Sequence, residues 1–479
     1  MTDQLIVDGE LRPAAAGAVL AVENPSTAET VRRVALGGLT DADAAIASAR
    51  READTGQWPT MPPAERADVM RRLGRLLEQN EDLFADLLVE ELGALRTQVK
   101  AIHVVRPMAN YWDQVERGSR SLDEPLPPIE GPVPTAQMIV REPRGVVSAI
   151  VPWNFPHFLD LWKVGPALVT GNTVVLKPAL ETPSVALELG RLALEAGVPP
   201  GVLNVVTGGS DVGEMLTTDP RVDMVSFTGS TTVGRAIASA GGRTMKRMVL
   251  ELGGKSALVA LDDADPTRVA QAAMRFVLNC GQGCALMTRL VLHESIHDEV
   301  VEQLVAIVRS LEVGPADDET SQVGPLISAT HRDRVEGYMA SGREQGATVA
   351  VGGGRPDVEA AGYYVEPTVF IDVDNGMRIA REEIFGPVLC VMRYAGSDDE
   401  AVAIANDSEY GLAGSVWSAD VARGIAVARR IRAGKMSVNE YTSSVDGPFG
   451  GYKQSGVGRE LGQLGIEEFT EVKHLAWGS

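Results

Sequence analysis

The sequence predicts an α/β protein built on parallel sheets, and two observations carry that reading. Short, almost wholly apolar runs alternate with longer stretches of helical periodicity, and those runs lack the polar alternation of a strand with one wet face. A parallel sheet covered by helices on both sides has this pattern. The chain has 479 residues, 44% hydrophobic and 23% charged, a globular composition long enough for two or three domains.

The elements follow in order. From residue 40 to about 116 apolar residues recur at three and four, and Pro62 and Pro63 suit a helix entry before Ala64. Residues 119–134 carry prolines at 125, 127, 128, 132 and 134, so the segment is extended, as a bare linker or as an arm lying on another surface. Residues 146–151 read as a strand, 159–168 as a helix, 173–176 as a strand and 183–195 as a helix. Strands at 202–206 and 224–227 continue the series, and a second α/β series runs from about 256 to 447.

Charge and cysteine usage narrow the function classes. Asp and Glu number 65 against 44 Lys and Arg, a formal net charge of −21. That balance speaks against nucleic acid, whose binders carry basic faces, and against docking on an anionic membrane. Three cysteines make no disulfide framework for a chain this size, so a reducing compartment is expected. The segment from Met1 to Asp8 lacks a basic stretch followed by an apolar one, and no run approaches ~20 apolar residues. The expected location is cytoplasmic.

Three residues suggest covalent chemistry on a carbonyl. Cys284 sits in Asn279-Cys280-Gly281-Gln282-Gly283-Cys284, where glycines let the backbone turn closely and aim N–H groups at the sulfur. An ordinary thiol is only a few per cent thiolate at neutral pH, so a nucleophilic one needs such help. Glu251 ends the apolar run Met248-Val249-Leu250 and precedes Gly253-Gly254; a carboxylate among apolar neighbours has a raised pKa and suits a general base. Asn154, in Pro152-Trp153-Asn154-Phe155-Pro156 after a strand, has an amide fit to hold a developing oxyanion. Cys280 and Cys390 read as inert buried thiols.

For a dinucleotide, no Gly-x-Gly-x-x-Gly of the usual form is present. Gly229-Ser230-Thr231-Thr232-Val233-Gly234 follows a strand and opens a helix, whose free N–H groups suit a pyrophosphate. Lys177, at the carboxyl end of the 173–176 strand, is placed for a ribose contact. His293-Glu294-Ser295-Ile296-His297 matches the His-Glu-x-x-His zinc pattern. That chemistry needs both histidines on one helical face. Here His293 follows the strand-like Arg289–Leu292 run, so the match is read as accidental and no metal is expected.

Taken together, these motifs resemble the NAD(P)-dependent aldehyde dehydrogenase superfamily across nearly the whole chain. The resemblance is carried by Pro152–Pro156, Lys177-Pro178, Phe227-Thr228-Gly229-Ser230, Glu251-Leu252-Gly253-Gly254-Lys255, Gly281–Cys284, Glu383-Ile384-Phe385-Gly386-Pro387 and Pro448-Phe449-Gly450-Gly451-Tyr452-Lys453-Gln454-Ser455-Gly456. It implies an aldehyde-dehydrogenase-like fold: a Rossmann-like cofactor domain (1–118 and 136–252), an α/β catalytic domain (253–447) and a small β oligomerisation arm (119–135 and 448–479). It implies Cys284 as nucleophile, Glu251 as the base for deacylation, and Asn154 with the Cys284 N–H as the oxyanion hole. Lys177 would meet the adenosine ribose, and Gly229 and Ser230 the pyrophosphate, on a surface shaped by Gly209, Gly213 and Gly234. Glu383 would hold the nicotinamide ribose and Phe385 would pack by the ring; Val151, Pro152, Trp153, Phe227 and Leu252 complete the implied cofactor set. A homodimer or homotetramer is implied as well.

The chain departs from the family at Lys177-Pro178-Ala179-Leu180-Glu181. Many NAD-preferring members place a glutamate three positions after the lysine, where this chain has Leu180. NAD is expected, with NADP left open. The resemblance places Met108, Trp112, Leu159, Trp162, Gly283 and Ala285 around the substrate tunnel, with His157 at its mouth. No arginine stands out as a clamp for an anion, so a hydrophobic aliphatic or aromatic aldehyde is the expected substrate. The competing readings are a CoA-acylating or semialdehyde dehydrogenase of the same superfamily, a cofactor-free thiol esterase, and a binding protein on a retired enzyme fold. Glu251 disfavours the CoA-acylating reading, and the lack of a histidine base disfavours the esterase.

Overall fold

Apolar runs too short for helices assemble into two large sheets in this computed structural model, which describes residues 3–130, 135–358, 361–441 and 444–478. Met1 and Thr2 of the opening segment, and Pro132 and Pro134 of the proline-rich stretch, lie outside the described residues. The first sheet has eight strands in the order Gly456–Val457, Arg247–Glu251, Met224–Thr228, Val146–Ile150, Thr173–Lys177, Leu203–Val205, Leu5–Val7 and Glu10–Arg12. Its middle five are parallel, and the three outer strands are antiparallel to their neighbours. Val146–Ile150 and Met224–Thr228 are buried along their whole length, which explains their unbroken apolar character.

The order of the parallel strands matters for function. Numbered along the chain from Val146–Ile150, they lie in space as third, second, first, fourth, fifth. The direction of winding therefore reverses between Val146–Ile150 and Met224–Thr228. A crevice opens outside the carboxyl ends of strands at such a point, and doubly wound sheets bind ligands there.

A second sheet of seven strands runs Thr348–Val351, Thr368–Ile371, Val388–Tyr394, Met287–His293, Ser256–Ala260, Ala413–Trp417 and Lys435–Val438. Only the Thr348–Val351 edge is antiparallel. All seven strands fall inside the 253–447 span expected for a catalytic domain. Separate apolar clusters pack against each sheet: Val147, Ala149, Val174 and Leu176 belong to one, Val259, Val291, Phe370 and Val416 to another. Each fully buried aliphatic side chain of this kind contributes roughly 1.5–3 kcal/mol.

A third, three-stranded sheet joins Glu124–Ile129, Thr135–Pro143 and Thr470–Gly478. Five described residues after the helix Arg106–Gly118 the proline-rich stretch is thus paired as a strand, and its edge position suits a chain that lacks many N–H donors. The sheet extends past the expected boundary at 135, and residues 448–461 do not join it. Gly456–Val457 instead pairs with Arg247–Glu251, and Phe449 exchanges two backbone hydrogen bonds with Glu460. Among the described residues no helix is long and apolar enough to cross a membrane.

Candidate active site

Between the carboxyl ends of the first sheet and the amino ends of the second lies a cavity of about 480 Å³, and Cys284, Glu251 and Asn154 all line it. Each arrives by a different local device. Glu251 is the last residue of Arg247–Glu251. Asn154 follows Val146–Ile150 in the turn before the helix Pro156–Val169. Cys284 precedes Met287–His293.

The cysteine loop is held by unusual backbone. Asn279, Cys280 and Gly281 all have left-handed φ values of 50°, 52° and 73°, a conformation costly for the first two. The neighbours over-determine it. Asn279 Nδ2 donates to the Asn154 carbonyl at 2.9 Å, and Gln282 Nε2 donates to the Asn279 carbonyl at 2.9 Å. Gln282 Oε1 accepts from the Ile327 N–H at 2.9 Å. A Cβ on Gly281 would stand 2.1 Å from the Gly386 carbonyl carbon, so glycine is required for the 383–387 segment to lie against the loop. A Cβ on Gly254 would meet the Cys284 carbonyl at 2.5 Å, and one on Gly253 would meet Glu383 Oε2 at 2.4 Å. Three motifs far apart in sequence are therefore in direct contact.

Charge in this site is strongly suppressed. Burial, then the nearby Glu383 and Glu251, pushes the Cys284 thiol up to about 12, although the Cys284 and Ala285 N–H groups reach the sulfur and pull the other way. The expected glycine-loop donors are present but do not produce a resting thiolate. Burial, followed by Glu460, holds the Glu251 carboxyl well above its ordinary range. Neither Glu251 oxygen has a hydrogen-bond partner. Behind it Lys163 Nζ pairs with Glu460 Oε1 at 2.6 Å, both side chains wholly buried, and lies 3.3 Å from Ser226 Oγ. Asn154 Nδ2 donates to the Gln282 carbonyl at 3.1 Å, which leaves its second N–H for the cavity.

The residues expected at a cofactor surface cluster at the switch point and beside it. Val151, Pro152 and Trp153 leave the carboxyl end of Val146–Ile150, and Phe227, Gly229 and Ser230 lie at the end of Met224–Thr228. Ser230 caps the helix Thr231–Gly241, its hydroxyl accepting from the Val233 N–H. Lys177 ends its own strand; its Cε would be 3.8 Å from a Cβ on Gly213, and Gly209 caps the helix Ser210–Thr218 that holds Gly213. Glu181 and Asp211 act on the Lys177 ammonium, opposing the downward pull of its burial. Glu383 Oε1 accepts the Gly254 N–H at 2.9 Å, and burial raises its carboxyl to about 7. Trp153 and Phe385 meet edge to face, 5.4 Å between centroids. Leu252 is buried against Gly234. A helix N-terminus at a switch point, glycines on the approach and an under-partnered carboxylate fit a dinucleotide.

The tunnel expectations fare unevenly. Leu159, Trp162, Gly283 and Ala285 line the cavity, with Phe155, Phe158 and Phe449 beside them. Met108 and Trp112 do not. Met108 is buried in the core, and Trp112 turns its indole N–H to Glu78 Oε1 at 2.7 Å. His157 is not at the mouth: it is 1% exposed, 4.6 Å from the Phe84 ring, and burial drops its pKa to about 3. The sequence shows no arginine as a clamp for an anion, yet basic side chains do reach this cavity. Arg106, Arg275 and Lys435 all stand on the cavity wall. They come from three distant segments, so no local motif announced them. As for the zinc pattern, His293 ends a strand and caps the helix Glu294–Arg309 by accepting the Ser295 N–H, while His297 faces Asp298 and Arg393. No group of three or more metal-ligating side chains occurs among the described residues.

Known proteins are similar to this chain over nearly its whole length. The family model described as the aldehyde dehydrogenase family matches residues 12–475. Geranial dehydrogenase of Castellaniella defragrans is 42% identical over 456 residues, covering 94% of each chain. Phenylacetaldehyde dehydrogenase of Pseudomonas fluorescens is 40% identical, covering 98% of this chain and 95% of the relative. The crystal structure of Mycobacterium tuberculosis aldehyde dehydrogenase complexed with NAD+ superposes with a TM-score of 0.94 at 43% identity, over 99% of this chain and 98% of that one.

Proposed function

The chain belongs to the aldehyde dehydrogenase family, and from that premise we propose that it oxidises an aldehyde with an apolar body to the carboxylic acid through a covalent bond to Cys284. The observation that carries the proposal is the single cavity that holds Cys284, Glu251 and Asn154 together. NAD, when bound, would supply the hydride acceptor, and its cationic nicotinamide ring would bring positive charge near the buried Glu251 and Glu383.

The chain's own residues account for the remaining steps. The Cys284 sulfur adds to the aldehyde carbon as its thiol proton passes to an ionised Glu251 and on to solvent. The carbonyl oxygen, now anionic, is held by the free Asn154 N–H and a loop N–H. Loss of hydride from the same carbon leaves a thioester on Cys284. Glu251 then takes a proton from water, the resulting hydroxide adds to the thioester, and the acid leaves as the sulfur regains its proton. The buried Lys163–Glu460 pair sits where it sets the charge felt by Glu251.

NAD is the preferred cofactor and NADP the weaker one. Glu181 and Asp211 lie within electrostatic reach of Lys177, and two carboxylates near the ribose site disfavour a 2′-phosphate even though Leu180 does not. A kcat/KM ratio favouring NADP tenfold would contradict this assignment. The division of labour between Cys284 and Glu251 is tested by stopped-flow absorbance on Glu251→Gln. The expected result is a burst of about one NADH per active site followed by slow turnover. No burst, with Cys284 still reactive to a thiol reagent, would defeat it.

A further inference from the structure

Three cations from distant segments converge on the wall of the cavity. Arg106 follows the π-helical turn Lys100–Val105, a distortion common at functional sites. Arg275 lies in the turn Met274–Gly281, and Lys435 opens the strand Lys435–Val438. The Arg275 guanidinium and the Lys435 ammonium pack on one ring, 4.4 and 4.2 Å from the Tyr441 centroid. The Tyr441 hydroxyl is 3.5 Å from the carbonyl of Ala285, the residue after Cys284. The cluster is therefore within a short substrate's length of the nucleophile.

Like charges gathered in this way repel. Arg106 and Arg275 add to burial in drawing the Lys435 ammonium down to about 8. Acidic residues outnumber basic ones by 65 to 44 in this chain, yet neither Arg106 nor Arg275 forms an ion pair among the described residues. Glu440, also on the wall, acts on Arg275 only through space. Much of the rest of the wall is apolar, from Phe155 and Leu159 to Phe449.

We propose that Arg106, Arg275 and Lys435 form a subsite for a terminal oxyanion on the aldehyde, a carboxylate or a phosphate ester, joined to the carbonyl by an apolar body. The inference rests on the reading of Cys284 as nucleophile and adds which aldehydes reach it. Guanidinium forks hold either oxyanion in two-pronged geometry, and an anion between the three cations relieves their repulsion. The same cations oppose a positively charged tail.

The experiment measures kcat/KM of the full-length protein at fixed NAD for ω-oxo carboxylates of increasing length, their methyl esters, and the matching ω-oxo phosphate monoesters. At one chain length the anion is expected to exceed its ester at least tenfold. Arg106→Gln and Arg275→Gln should each cut that ratio at least fivefold, chiefly through KM. The ratio within one variant does not depend on how much of the protein folds. The better of the two anions identifies the source of the oxyanion. A wild-type ratio of one or less at every length, or a ratio unmoved in both variants, overturns the subsite. If no aldehyde yields NADH, it is the assigned reaction that fails. Isothermal titration of a dicarboxylate and its monomethyl ester onto Cys284→Ala then reads the subsite, with tenfold tighter dicarboxylate binding expected and equal affinity overturning it.

Discussion

The Glu251 side of the cavity and the Arg106 side solve opposite electrostatic problems. At the first, Glu251 and Glu460 are buried, and Lys163, with Arg459 acting on Glu251, offsets them. At the second, Arg106 is exposed, and Arg275 and Lys435 are half-buried. Burial raises the pKa of the enclosed acids: Glu251 lies well above its ordinary range and Glu383 near 7. Solvent at the opposite side lets the cations remain charged. Depth thus separates groups that exchange protons from groups that attract a ligand, because desolvation moves a pKa far more than a neighbouring charge seen through water.

The contrast can be broken first at the chemical side. Asn154→Ala removes one oxyanion donor, and kcat is expected to fall by about a hundred- to a thousandfold, with KM for the aldehyde little changed. Steady-state kinetics measure this, and a loss below tenfold would remove Asn154 from the oxyanion site. Its amide also braces the Gln282 carbonyl, so a circular dichroism check on the variant separates lost chemistry from a collapsed loop.

A smaller effect sharpens the same contrast through stability. Glu383 titrates near 7 when folded against an ordinary 4.5. The folded state therefore binds a proton that the unfolded state has released between those values, and stability falls as pH rises through that window. One proton contributes a slope of at most about 1.4 kcal/mol per pH unit. Glu383→Gln cannot ionise, so its stability relative to the wild type should improve between pH 5 and 8. Parallel melting curves for the two proteins across that range would show that Glu383 carries no buried proton.

Much of this was readable from the residues alone, for identifiable reasons. The central parallel strands of the first sheet are buried on two faces, so their apolar runs stand out, as at Val146–Ile150 and Thr173–Lys177. Leu5–Val7 and Glu10–Arg12 went unread because three-residue edge strands are too short to show a period. The hairpin of Val19–Asn24 and Glu29–Ala35 was missed because charged residues interrupt it. The cysteine, carboxylate and amide were visible because glycines and prolines mark their turns, and the fold brings all three to one cavity. Met108 and His157 were misplaced because helical spacing alone does not say whether a face meets a cavity or a neighbouring helix. Arg106, Arg275 and Lys435 left no trace in any local pattern. Their proximity exists only once both sheets are assembled.

The most direct measurement is the mass of the Cys284 peptide after Glu251→Gln is mixed with NAD and aldehyde, quenched in acid and digested. The account predicts an acyl group on Cys284, two hydrogens lighter than the aldehyde adduct, in the same amount as the NADH formed. NADH released with Cys284 unmodified, or with the label on Cys280 or Cys390 instead, would contradict it.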